Sequence, residues 1–151
     1  NFSKAAKINP ASNEAAMNQG LSALINENYG EAKQKLGAAA GAEGLNEALG
    51  TYYIKTGDYN AAAGAFGNSV GNNAALAKIL TKDYSGAKQT LAAIANPDAT
   101  TYYLMAVVGA RTNNEQMVTS NLRQAVKLDS SLANRAKNDL EFAKFNLSSV
   151  L

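Results

Sequence analysis

The chain has 151 residues, with 14 Lys and Arg against 12 Asp and Glu for a net charge of +2, and it contains no cysteine, histidine or tryptophan. Without imidazole or thiol there is no Ser-His-Asp triad, no Cys-His nucleophile pair, no thiolate zinc site and no imidazole base near neutral pH. What remains is a composition that is 46% hydrophobic and 17% charged, with 30 alanines and 18 asparagines, which is globular and biased toward helix.

In chain order, the first apolar-periodic stretch is Leu21 to Ile25, followed by Asn28 and then Tyr29-Gly-Glu-Ala32-Lys-Gln-Lys-Leu36. Leu45 to Ile54 leads to Asp58 and Tyr59-Asn-Ala-Ala62-Gly-Ala-Phe66, and Ala74 to Leu80 leads to Asp83 and Tyr84-Ser-Gly-Ala87-Lys-Gln-Thr-Leu91. Tyr102 to Val108 leads to Asn114 and a weaker copy, Glu115, Val118, Leu122 and Ala125. The repeated frame is Tyr-x-x-Ala with a large apolar residue beyond, its starts 30, 25 and 31 residues apart. Such a period marks a repeat array. Asn28, Asp58, Asp83 and Asn114 stand where a side chain accepts an orphan amide hydrogen bond at a helix start, and Asn28-x-x-Glu31 is capping-box-like. Gly37, Gly41 and Gly44, then Gly71-Asn72-Asn73, then Asn96-Pro97-Asp98 predict the turns between helix pairs. Ser131 to Leu147 predicts one further amphipathic helix, with Leu132, Ala136, Leu140, Ala143 and Leu147 on one face and Phe142 and Phe145 widening it. Core packing on the last repeat is one reading of that face, and a self-association or partner surface through Phe142 and Phe145 is the other.

These residues resemble the tetratricopeptide repeat (TPR), a helix-turn-helix unit of about 34 residues. The likeness is greatest in Leu49-Gly50-Thr51-Tyr52-Tyr53-Ile54-Lys55-Thr56-Gly57-Asp58-Tyr59 with Ala62 and Phe66, and continues in Tyr102 and in Ala125-Val-Lys-Leu128-Asp129-Ser130, where Ser130 replaces the family's Pro. The resemblance implies an all-α fold, a right-handed α-α superhelix or TPR-like solenoid of about four helix-turn-helix units plus a C-terminal capping helix. One TPR-like domain over 1–151 then divides into the tail of a preceding repeat (1–10, with Phe2, Ala5 and Ile8-Asn9-Pro10), repeat one (11–42), repeat two (43–71), a shortened repeat three (72–97), repeat four (98–130) and the capping helix (131–151). Asn1 is accordingly expected to cut into a longer array.

By the same resemblance the first helices line a concave groove, nominating Glu47, Thr51 and Lys55 in repeat two, Asn72 and Leu76 in repeat three, and Tyr103, Val107 and Arg111 in repeat four. The expected function is a non-catalytic scaffold binding a peptide or protein segment, anchored by Tyr103 and Leu76 with Arg111 and Lys55 at the rim. A self-associating segment of an envelope assembly and a carboxylate-based hydrolase are the alternatives. For the hydrolase, Asp58 and Asp83 are already explained as caps. Gly37-Ala-Ala-Ala-Gly41-Ala-Glu-Gly44 lacks the Lys-Ser/Thr ending of a phosphate loop, and Lys55 and Lys78 read as solvated helix-surface lysines rather than Schiff-base formers. No cofactor or metal is expected. The pairs Tyr52-Tyr53 and Tyr102-Tyr103 lack the interleaved cations of a base-stacking surface, and a +3 second half is too dilute to point to nucleic acid. The longest strongly apolar run, Tyr102 to Ala110, is too short to span a bilayer. The kind of repeat protein resembled favours a bacterial periplasm or cell envelope over cytoplasm.

Overall fold

The computed structural model describes residues 10–39 and 44–151, and among them the fold is all-α, with no strand. Nine helices follow one another among the described residues: α1 (Pro10–Ile25), α2 (Tyr29–Gly37), α3 (Leu45–Thr56), α4 (Tyr59–Phe66), α5 (Asn72–Leu80), α6 (Tyr84–Ala92), α7 (Ala99–Arg111), α8 (Glu115–Leu128) and α9 (Leu132–Asn138), before a 3₁₀ turn at Leu140–Phe142. No helix among the described residues is long and apolar enough to cross a membrane. Of the expected repeat tail at 1–10, residues 1–9 lie outside the described residues, as does the turn glycine Gly41, while Pro10 opens α1.

The helices pair as four hairpins closed by one turn design. Asn28, Asp58, Asp83 and Asn114 each accept a hydrogen bond through the side chain from the backbone N–H three residues on. The cap's own N–H donates to the carbonyl five residues back: Asn28 to Ala23 at 2.8 Å, Asp58 to Tyr53 at 2.9 Å, Asp83 to Lys78 at 2.8 Å and Asn114 to Gly109 at 2.7 Å. That reversal requires left-handed backbone at the residue before the cap, filled by Glu27 (φ 60°), Gly57 (φ 86°), Lys82 (φ 67°) and Asn113 (φ 58°). At the first turn the Asn28 amide also donates to Glu31 Oε2 at 2.9 Å, so the reciprocal arm of the expected box runs between side chains and not to the cap backbone. The full capping box forms instead at Asp98 and Thr101, at the start of α7.

Each hairpin packs a small residue against a large one across its turn. The Tyr-x-x-Ala position is fully buried in Ala32, Ala62, Ala87 and Val118, and the large position is buried in Leu36, Phe66, Leu91 and Leu122. Eight positions before the cap stand Gly20, Gly50, Ala75 and Ala106, all buried, the first two directly against Leu36 and Phe66. At Gly20 a Cβ would sit 2.6 Å from Leu36 Cδ2, and at Gly50 it would sit 2.5 Å from Phe66 Cζ. Glycine is what lets those two helix pairs approach.

The chain divides after Ser69 into two compact units. The first has its core in Met17, Ala23, Leu24, Ala32, Leu36, Ala39 and Ala48, with Tyr29 and Tyr52 edge to face at 6.4 Å. The second, Val70–Leu151, is built on Ile79, Leu91, Tyr103, Val108, Val118, Leu122 and Phe142. Asn72 and Asn73 belong to both the turn Gly71-Asn72-Asn73 and the short first helix, Asn72 to Leu80, expected from sequence in the third repeat, and α5 has those bounds, with residues 67–71 making the connection from Phe66 at the end of α4.

The predicted helix over Ser131 to Leu147 is corrected: α9 stops at Asn138. Asp139 adopts extended backbone (φ −85°, ψ 120°) and its Oδ1 accepts the Glu141 N–H at 3.0 Å, starting the 3₁₀ turn. The break throws Leu140, expected on the apolar stripe, into solvent at 89% exposure and turns Phe142 into the core at 2%. Phe142 therefore packs in the interior and is not exposed on an open face; Phe145 is half-buried against the same core.

Candidate functional site

The nominated groove residues on α7 recur at steps of four, which places Tyr103, Val107 and Arg111 on one helix face. The start of that helix is fixed by polar contacts. Thr101 N–H donates to Asp98 Oδ1 at 2.9 Å, Asp98 N–H donates to Thr101 Oγ1 at 3.1 Å, and the Asn72 amide, from the start of α5, donates to Asp98 Oδ1 at 3.0 Å. The Thr101 hydroxyl lies 2.8 Å from Asn72 Oδ1. Asn72 is thus a strut between two helix starts. The Thr101 N–H, followed by the Asn72 amide, holds the Asp98 carboxyl below its ordinary pKa.

The α7 face is brought together as expected, but the chain's own tail covers it. Tyr103 is 4% exposed and Val107 8%. The Tyr103 hydroxyl donates to Asp139 Oδ2 at 2.6 Å, its ring meets Phe142 edge to face at 5.5 Å and 80°, and the Arg135 guanidinium stands 4.8 Å from its centroid. Burial, followed by the bond to Asp139, pushes the phenol above its ordinary pKa. Arg111 Nε lies 3.1 Å from both Glu141 carboxylate oxygens and its Nη2 contacts Oε1 at 2.5 Å, and these bonds to Glu141 hold the guanidinium pKa above its ordinary value. This corrects the expectation that Tyr103 is an accessible anchor and Arg111 an open rim cation. Of the Tyr102-Tyr103 pair, Tyr103 is the buried member and Tyr102 the half-buried one.

In the first compact unit Glu47, Thr51 and Lys55 share a face of α3. The Thr51 hydroxyl donates to the Glu47 carbonyl at 2.9 Å, and the Glu47 carboxylate accepts from Ser69 Oγ at 3.1 Å. Lys55 is exposed, and Leu76 in the second unit is half-buried. Lys78, read from sequence as solvated, is half-buried and donates to the buried Thr90 hydroxyl at 2.6 Å.

Asp58 and Asp83 are each committed to a helix start through backbone N–H groups at 3.1 and 3.0 Å. Among the described residues no group of three or more carboxylates could hold a metal ion. A shallow cleft of about 310 Å³ opens between α6, α7 and α8, where Lys88, Asn114, Gln116 and Asn121 surround Met105 and Met117. Sequence reasoning missed this cleft, and it missed Arg135, Asp139 and Glu141 as partners of α7. No local pattern marks them, because each meets its partner across 30 residues or more of chain.

Comparison of the chain with protein-family models, curated proteins and solved structures finds no match.

Proposed function

We propose that this protein is a non-catalytic, TPR-like scaffold that binds a peptide or protein segment, its four hairpins belonging to a right-handed α-α solenoid. The observation that carries this reading is the single turn frame used four times: a left-handed residue, an Asn or Asp cap, and a buried small-against-large contact spaced symmetrically about the cap. Repeating one supersecondary unit stacks helices in order and leaves successive first helices free to present side chains to a partner. Of the nominated positions, Glu47 and Lys55 on α3 are exposed and Thr51 on α3 and Asn72 and Leu76 on α5 are half-buried, whereas Tyr103 and Val107 on α7 are buried. The carboxylates at the helix starts are occupied as caps, which favours a binding role over acid-base chemistry.

The test is affinity capture from the native source, with the wild-type chain and a Lys55→Glu/Leu76→Glu variant of unchanged circular dichroism as parallel baits. A partner recovered by the first and lost by the second supports the reading. Recovery of the same partner by both removes these faces from it, and recovery of no partner by either removes the scaffold role.

A further inference from the structure

In the second compact unit the C-terminal segment is held by contacts that another copy of the chain can supply equally well. Leu132, Ala136 and Phe142 are buried against α7 and α8, Asp139 receives the Tyr103 hydroxyl, and Glu141 receives Arg111. The segment reaches this place through a connection of three residues, Asp129-Ser130-Ser131, with neither Pro nor Gly between Lys127 and Leu132. Asp129 is extended (φ −145°, ψ 98°), whereas Ser131 already has helical angles (φ −63°, ψ −22°). The bend is held by Asp129 Oδ1, which accepts the Ser131 N–H at 3.1 Å and the Ser131 hydroxyl at 2.6 Å.

Turning this connection into the α region makes one continuous helix of residues 115–138. Its cost is the modest helix propensity of Asp and Ser and the loss of that side-chain clasp. The straightened chain carries the segment away from its own α7 and delivers it to the α7 of a second copy. Each buried contact is then re-formed in trans, the condition under which exchange of an element between protomers is inexpensive. In the continuous helix Ala125, Leu128, Leu132 and Ala136 fall at steps of three, four and four, so they form one stripe. Leu128, three residues after Ala125 on α8, is 56% exposed in the bent form, and the straight form extends its stripe to Leu132 and Ala136.

We propose that residues 132–151 exchange between two copies of this chain, each copy's Asp139, Glu141 and Phe142 completing the α7 face of the other and its Phe145, Leu147, Val150 and Leu151 following onto the same core. This interface is separate from the peptide-binding faces on α3 and α5 and does not rest on that reading.

Two full-length variants with opposite charge changes test it, Arg111→Glu and Glu141→Arg. Each alone sets like charges against each other whether the segment binds its own α7 or that of an identical copy. After mixing, both pairings in an exchanged heterodimer are of opposite sign, so light scattering should show a species of twice the 15.7 kDa chain mass, with a higher Tm than either variant. A mixture that remains monomeric overturns the proposal. A second pair does not depend on how well those variants fold. Asp129→Ala/Ser130→Ala removes the clasp and favours the continuous helix, raising the dimer association constant about tenfold, whereas Ser130→Pro opposes that helix and leaves only monomer. An Asp129→Ala/Ser130→Ala chain that stays monomeric to millimolar concentration also overturns it.

Discussion

The Tyr103 hydroxyl donates to Asp139 across 36 residues of chain, and this 2.6 Å bond joins the middle of α7 to the point where the C-terminal helix breaks. Asp139 cannot serve this bond and also continue α9, because its extended backbone places one carboxylate oxygen on the phenol and the other on the Glu141 amide. Removing the hydroxyl in Tyr103→Phe leaves a half-buried carboxylate with one partner fewer. The expected loss is about 1–2 kcal/mol, seen as a fall in Tm of roughly 3–8 °C. The pH dependence has a defined sign. Burial and Asp139 raise the Tyr103 pKa in the folded chain, whereas the unfolded chain releases that proton near about 10. The contribution is complete below that value and is lost as the pH rises beyond it, where the unfolded state binds fewer protons. Subtracting the Tyr103→Phe denaturation curves from those of the parent isolates this slope from the other six tyrosines. Equal alkaline slopes in the two proteins would remove Tyr103 as its source.

The hairpin turns offer a second test, through residues whose backbone angles cost free energy. Lys82 sits at φ 67° and Gly57 at φ 86° in equivalent positions before their caps. The left-handed region costs an L-residue about 1–2 kcal/mol, offset in part by the greater unfolded-state freedom of glycine. Lys82→Gly is therefore expected to stabilise the protein by about 0.5–1 kcal/mol and Gly57→Ala to destabilise it by a similar amount. Urea denaturation measures both. A shared sign would mean that the two turns are not energetically equivalent.

Much of the hairpin frame was legible because its determinants are local. An Asn or Asp three residues before the amide it caps, and an Ala in a fixed place beside a large apolar residue, are visible within a window of about ten residues, and the four second helices begin where those caps predict. The tail was not legible for the opposite reason. Leu132, Ala136, Leu140, Ala143 and Leu147 have helical spacing, but Asp139 gains more from Tyr103 and the Glu141 amide than from another helical turn, so Phe142 takes the buried place that periodicity gave to Leu140. The candidate groove failed in part on the same account. Spacing put Tyr103, Val107 and Arg111 on one face, and only contacts 30 or more residues distant reveal that the face is filled.

The glycines that allow close helix approach can be separated from those that are only weak helix formers by making one substitution at two sites. Gly64, inside α4, has no atom within 4 Å of where its Cβ would lie, so Gly64→Ala should gain helix propensity alone, about 0.5–1 kcal/mol. Gly50, inside α3, receives the same gain, but its Cβ would lie 2.5 Å from Phe66 Cζ, in a ring that is only 4% exposed and cannot swing into solvent without uncovering the core. Overpacking of this kind costs about 1–3 kcal/mol, which outweighs the propensity term, so Gly50→Ala should be destabilising. Replacing the ring removes the clash: Gly50→Ala/Phe66→Leu should be more stable than the sum of the two single changes predicts. A double-mutant cycle by thermal denaturation reads that coupling directly. Additive single effects would mean that the α3 and α4 backbones relax apart and that the small-against-large contact does not set the spacing of this hairpin.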